Sequence, residues 1–445
     1  MRVAIVGGGV AGTACALHFR RDHGIEASVI EPREKLGAGV AYSTADPAHR
    51  INVPARLMSV FADDPEQFDR WLRDTGELGR DPAMRTADDR LYPARAVFGR
   101  YVAELATGLR HVRARAVSAS RDNEEFRITL DDGVVVAADA LVLATSHPSA
   151  ALPRALAAIA DDARVVRSPW GVDLAAKVGP EATVAIVGTG LTMADALSSL
   201  RAGGHRGPVV AVSRRGLLPR RRTLSVIEPY GAFADDPAHT AAGLVRRVRT
   251  AMRGIPWERA IEALRQQATP VWQALPMVER RRFLRHVRPF WDAHRYPCAP
   301  QADELLRAGG LRVVAGSLLA ARADADALTL TVRRHGGAIE SVAAALVVNC
   351  TGPAHADVVA GTPVLASLSD AELLRADPLG LGVAVDTRGR ALDRDDTPVP
   401  GLFVAGPLAR GTYGELIGLP QVSNQPRAVA AEIARMPRSS KNRSR

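Results

Sequence analysis

The strongest constraint on this chain is a pattern written twice. VAIVGGGVAG runs from Val3 to Gly12, and VAIVGTGLTMADAL runs from Val184 to Leu197. Each reads as a buried strand of four apolar residues, a glycine-broken turn and an alanine-bearing helix. In the first copy Gly7, Gly9 and Gly12 match G-x-G-x-x-G. Gly7 permits the tight turn, Gly9 lets a pyrophosphate approach the backbone, and Gly12 lets helix and strand pack closely. The free N–H groups of the helix start then face the phosphates. In the second copy Gly188 and Gly190 repeat the first two glycines, with Ala194 taken as the third position. Two such turns predict two dinucleotides held by one chain.

The residues closing the next strand predict which dinucleotide each turn takes. Glu31 ends ASVIEP, where a carboxylate accepts hydrogen bonds from ribose hydroxyls and repels a 2′-phosphate. That favours FAD or NAD at the first site. Arg214 and Arg215 stand at the corresponding place in the second copy, in SRRG. A guanidinium there clamps a 2′-phosphate, so the second nucleotide is expected to be NADPH.

Each half also carries a hairpin or meander. The first turns at Asp131-Asp132-Gly133 and the second at His335-Gly336-Gly337, each followed by an apolar strand. Residues 234–299 break the repeat: they are helical by periodicity and interrupted by Pro256, Pro270, Pro276 and Pro289. The expected fold is α/β, with two dinucleotide-binding (Rossmann-like) domains, each with a β-hairpin or meander insertion, plus a helical insertion in the second. The expected division is an FAD-binding domain over 1–165 and 351–436, an NADPH-binding domain over 166–350, and a basic disordered tail over 437–445.

Composition narrows the partners. The 445 residues carry a net charge of +10, almost all of it from arginine, since lysine occurs only at Lys35, Lys177 and Lys441. Aromatic residues do not interleave with the basic runs, so a nucleic-acid groove is not expected. An attractive field for anionic cofactors or substrates and a plain solvated surface both remain open. Cys15, Cys298 and Cys350 form no C-x-x-C pair, which argues against a disulfide framework, a metal site and a dithiol centre. With no membrane-length apolar run and a core strand beginning at Arg2 or Val3, a cytoplasmic protein is expected. The oligomeric state is left open.

Further segments carry a family resemblance. They are GAGVAYST (Gly37–Thr44), RINVPARLMSVFADDPEQFDRWL (Arg50–Leu72), LYPARAVFGRYVAEL (Leu91–Leu105), LVLATSHP, LVVNCTGP and FVAGPLARGTYGELIGLPQVSNQ. On these the chain resembles the flavoproteins with two dinucleotide-binding domains, particularly the flavin-dependent monooxygenases that include N-hydroxylating enzymes. It is also similar to a branch containing FAD-dependent urate hydroxylases. Ser146 replaces the usual glycine in the first strand-end motif. The second turn has Thr192-Met193-Ala194 where those enzymes often have Ser-Gly, and Asp195 matches the acid that often follows.

The resemblance implies that NADPH reduces FAD and that a flavin C4a-hydroperoxide, formed with molecular oxygen, hydroxylates a small nucleophilic or anionic substrate. It places Asn52 near the flavin, with Arg56 and Met58 beside it. An asparagine satisfying loop backbone is an equal reading of Asn52. Val117, Thr145, Thr192, Gly406 and Pro407 complete the expected cofactor contacts. Trp291, His294 and Arg295 in the helical insertion are the candidate substrate contacts. An oxygen-independent NADPH-dependent reductase or dehydrogenase and a non-catalytic FAD-binding redox sensor are the rival readings.

Overall fold

The computed structural model describes residues 1–148, 150–223 and 226–437, so the expected tail beyond Pro437 lies outside the described residues. Two sheets are built around the two VAIV runs. The chain begins with β1 (Val3–Val6), β2 (Ala27–Ile30) and β3 (Arg110–Val112), continues through β4 (Ala116–Asp122), β5 (Glu125–Leu130) and β6 (Val135–Ala138), and reaches β7 (Ala140–Leu143). The second half supplies β8 (Val165–Val166), β9 (Val184–Val187), β10 (Val209–Ser213), β11 (Leu311–Ala323), β12 (Leu328–Arg334), β13 (Ile339–Ala344) and β14 (Leu346–Asn349). Finally β15 (Arg390–Leu392) and β16 (Pro398–Val404) follow.

The first sheet has the order β15-β16-β7-β1-β2-β3, parallel except for β15. The C-terminal part of the chain thus returns to the first sheet by laying β16 beside β7. The second sheet has the order β13-β12-β11-β10-β9-β14-β8, and its β10-β9-β14-β8 part is parallel. All four residues of β1, β7, β9 and β14 are buried. Continuous apolar runs of this kind are what parallel strands covered on both faces require.

The two meanders are built differently. β4-β5-β6 forms its own three-stranded sheet. In the second half β11 is 13 residues long; its start pairs parallel with β10 and its end pairs antiparallel with β12, so the meander is continuous with the main sheet.

Helix Val10–His23 follows β1 and helix Leu191–Ala202 follows β9. Helix Gln421–Ala434 lies against the first of these, where His18 Nε2 meets Ser423 Oγ at 3.1 Å. The insertion consists of short helices between Ala241 and Arg295 around a core of Phe233, Leu244, Leu264 and Trp272. It seats on the first half: Trp272 Nε1 donates to the Gly411 carbonyl at 2.8 Å and Thr269 Oγ1 to that of Tyr413 at 3.1 Å. Gly414 takes a φ of +76°, and a Cβ there would lie 2.7 Å from Trp272 Cγ, so only glycine lets the segment pass under the indole.

The reading of Ala194 as the third turn position is corrected here. Gly9 and Gly190 are the N-caps of their helices, so Gly12 and Met193 are equivalent. A Cβ at Gly12 would sit 1.9 Å from the Gly7 carbonyl oxygen, whereas Met193 is fully buried in its own core. The second helix accommodates a side chain where the first cannot.

Among the described residues no helix is long and apolar enough to cross a membrane.

Candidate cofactor and substrate sites

The first turn is tight everywhere except where a ligand would lie. Gly7 has a φ of +105°, and a Cβ there would lie 2.5 Å from the Ala144 carbonyl oxygen at the end of β7. At Gly9 an added Cβ would meet only Gly39 Cα, at 3.5 Å. No side chain caps the helix that starts after Gly9, so its leading N–H groups remain available to an anion. Glu31 is buried rather than solvated. Its carboxylate accepts from the Gly8 N–H at 2.9 Å, the Arg33 N–H at 3.1 Å and the Arg33 guanidinium at 3.0 Å. It therefore locks the turn from beneath while standing at the strand end where a ribose would lie.

Other strand ends converge on the same place. Thr145 follows β7, and its hydroxyl is buried without a hydrogen-bond partner. Gly406 follows β16 with a φ of +79°; its N–H donates to Gln425 Oε1 at 2.8 Å, and a Cβ would lie 2.5 Å from Ala11 Cβ. Pro407 is the second residue of the short turn Gly406–Ala409. Val117 lies in a bulge of the meander, outside the β4–β5 register. The uncapped helix start, the space over Gly9 and the orphaned Thr145 hydroxyl fit a dinucleotide.

The second turn repeats this geometry. Gly188 has a φ of +116° and would clash through a Cβ with the Cys350 carbonyl at 2.3 Å. At Gly190 an added Cβ meets nothing within 4 Å, and the helix again lacks a side-chain cap. Thr189 Oγ1 donates to the Leu217 carbonyl at 2.7 Å and lies 2.9 Å from Ser213 Oγ, which ties the turn to the end of β10. Thr192 is half-buried on the first helical turn. Arg214 and Arg215 are exposed just past β10. The Arg214 carbonyl accepts from His335 Nε2 at 2.8 Å, and the Arg215 guanidinium stands 5.1 Å from the Phe290 ring centroid.

A polar junction joins the halves. Arg95 contacts Asp195 at 2.9 Å, His49 Nε2 meets Ser199 Oγ at 2.8 Å, and Ser199 donates to Asp46 at 2.5 Å. Burial raises the pKa of Asp195, opposed by Arg95, and lowers that of His49.

The sequence profile of a family described as FAD-NAD(P)-binding matches residues 4–148. No curated protein sequence matches the chain significantly. Solved structures share the fold over nearly the full length. L-lysine 6-monooxygenase from Pseudomonas syringae superposes with a TM-score of 0.63 at 16% identity, covering 98% of this chain and 99% of that one. Ornithine N-hydroxylase from Kutzneria sp. 744, solved with reduced FAD, NADP+ and L-ornithine, gives 0.60 at 16% identity, covering 97% and 98%. Bacillithiol disulfide reductase from Staphylococcus aureus gives 0.56 at 14% identity, with the same coverage.

Asn52 is half-buried and precedes the turn Ala55–Leu57, which carries a half-buried Arg56. Met58 is buried in the apolar core with Phe61, Leu91 and Tyr92, so packing accounts for its position. The three substrate candidates are not brought together. Trp291 packs against the core of the insertion, and His294 lies 2.7 Å from the Phe290 carbonyl and edge-on to Trp257. Arg295 is buried and turned to Glu415 of the returning segment, 3.1 Å away.

Sequence reasoning did not single out Arg95, whose contact with Asp195 joins the halves; it lay hidden among the chain's many arginines.

Proposed function

We propose that the chain is an FAD- and NADPH-dependent monooxygenase acting on a small nucleophilic or anionic substrate. The reading is carried by one observation: two uncapped helix starts, at Gly9 and Gly190, are open to ligand in two halves joined by the Arg95–Asp195 contact. The fold shared with lysine and ornithine hydroxylases supports it. When bound, FAD and NADPH supply hydride transfer and the activation of oxygen.

The chain's own residues bind, orient and exclude water. The N–H groups after Gly9 and Gly190 would hold the two pyrophosphates, Glu31 would orient the first ribose, and Arg214 or Arg215 would meet the 2′-phosphate of the second nucleotide. Asn52 would serve the first cofactor on the flavin side. The insertion, held by Trp272 and Thr269, covers the returning segment and keeps water from the reacting atoms.

The fold of bacillithiol disulfide reductase favours an oxygen-independent reductase as the second reading. Dithiol chemistry is disfavoured because all three cysteines are free and buried, and burial raises each thiol pKa, that of Cys298 to about 12. The test is to purify the protein, record its visible spectrum, and follow NADPH oxidation with and without oxygen. A yellow protein that consumes oxygen and NADPH and hydroxylates a substrate is the expected result. Turnover of an acceptor at the same rate without oxygen overturns the monooxygenase reading, and a folded protein unable to take up FAD overturns the whole proposal.

A further inference from the structure

Four segments meet where the strand ends of the two halves face the helical insertion, and each brings a charged or titratable side chain. His147 follows β7, and His355 follows β14; their rings lie 4.4 Å apart. Helix Arg288–Arg295 brings Arg288, Asp292 and Arg295 on successive turns of one face. The returning segment brings Arg410, one turn beyond Gly406, together with Glu415.

The ion pairs leave one of these guanidinium groups over. Arg295 pairs with Glu415 at 3.1 Å, and Tyr296 donates its hydroxyl to the same carboxylate at 3.2 Å. Arg288 pairs with Asp292 at 3.4 Å. Arg410 makes no ion pair within 4.0 Å among the described residues, although Asp292 lies near enough to feel its charge. It is only 4% exposed, its Nε donates to the Gly414 carbonyl at 3.2 Å, and its Nη1 is buried with no hydrogen-bond partner. Asp292 Oδ1 and His355 Nδ1 are buried and unpartnered as well. The histidines do not add a compensating charge: burial pushes His147 down and His355 down to about 3, the latter reinforced by His147, Arg288 and Arg410. A buried guanidinium without a counter-ion is costly, and a charge-assisted bond to a bound anion removes that cost.

We infer that Arg410, backed by Arg288, holds the carboxylate of an organic substrate where the two halves meet the helical insertion. This rests on the proposed oxidoreductase reading for the identity of the site. The unpartnered Nη1 calls for an acceptor, and a carboxylate is the acceptor that also answers the guanidinium charge. Trp272 and Thr269 seat the insertion on this same segment, so the site is shielded and the ion pair is strong.

The test is a calorimetric titration of the full-length protein, saturated with FAD and NADP+, using benzoate against its neutral isostere benzamide. Propionate and propionamide serve as the smaller pair. The acids are expected to bind and the amides not. Arg410→Met is expected to weaken acid binding roughly 10- to 100-fold, with FAD content and unfolding midpoint retained. Arg288→Met is the second variant should Arg410→Met fail to fold, and it is expected to weaken acid binding in the same direction. Equal binding of acid and amide overturns the inference. So does acid binding unchanged in both variants, or loss of FAD on substituting Arg410, which would assign that residue to the flavin. A protein that takes up FAD and oxidises NADPH but ignores both acids loses this inference alone. A protein that takes up no flavin loses the oxidoreductase reading, and the titration without cofactor still reports on Arg410.

Discussion

Arg95 and Asp195 lie 2.9 Å apart across the boundary between the two dinucleotide-binding halves, with side chains 13% and 9% exposed. Arg95 opens the helix Arg95–Leu105 of the first half, and Asp195 lies on the helix Leu191–Ala202, whose start at Gly190 is the proposed second nucleotide site. Arg95 is also fixed by the Arg50 carbonyl at 3.1 Å and by the Trp170 ring at 5.7 Å. Removing the guanidinium would strand a buried carboxylate. Arg95→Met should therefore cost about 3–5 kcal/mol. Asp195→Asn should cost less, because Arg95 keeps its other two contacts. Urea unfolding of the two variants checks the order; equal losses would show that the carboxylate is not dependent on its partner.

The two glycine turns predict opposite outcomes for the same change. Gly12→Ala puts a methyl 1.9 Å from the Gly7 carbonyl oxygen and should prevent the first half from assembling with FAD. At Gly190 a methyl meets no protein atom within 4 Å. Gly190→Ala should fold normally and keep FAD, yet weaken NADP+ binding by about 10-fold or more through collision with the pyrophosphate. Flavin content and NADP+ titration separate the two.

Arg214 and Arg215 are not equivalent. Arg215 stands over Phe290, whereas the Arg214 side chain is exposed beside the tied-down end of β10. Arg214→Ala should lower kcat/KM for NADPH by roughly 10- to 100-fold and leave NADH little changed, as loss of a charge-assisted phosphate contact predicts. Rates measured with both nucleotides decide this.

His18 makes stability fall in mild acid. It is 2% exposed, and burial pushes its pKa down to about 4 despite Asp22 at 3.3 Å. In the unfolded chain it titrates near 6.5. Between those values the unfolded state binds a proton that the folded state does not. Stability that is complete above pH 6.5 is thus lost progressively down to pH 4, by about 3 kcal/mol from this group. Denaturant midpoints at pH 7, 6 and 5 should decline in the native protein and decline less in His18→Gln.

What was legible in the sequence was local. A VAIV run, a glycine turn and a helix occupy contiguous residues, so their spacing alone announces a doubled parallel fold with meanders and a helical insertion. Even there the equivalence of Gly12 with Met193 is a matter of counting from the helix cap, and the structure corrected it. The candidate substrate residues fared differently because they were grouped by nearness along the chain. Trp291, His294 and Arg295 lie within five positions, yet a helix turns them toward a core, a backbone carbonyl and a distant carboxylate.

By itself the sequence determined that this protein folds around two strand–turn–helix units with space for a ligand at Gly9 and Gly190, because short-range sterics and periodicity fix those features. Only the tertiary structure decided which of many arginines matter. Arg95 finds Asp195, Arg295 finds Glu415, and Arg410 is buried with its Nη1 unpartnered among the described residues. Charge pairing acts through space between residues a hundred or more positions apart, and no local pattern encodes which pairs the folded chain will bury together.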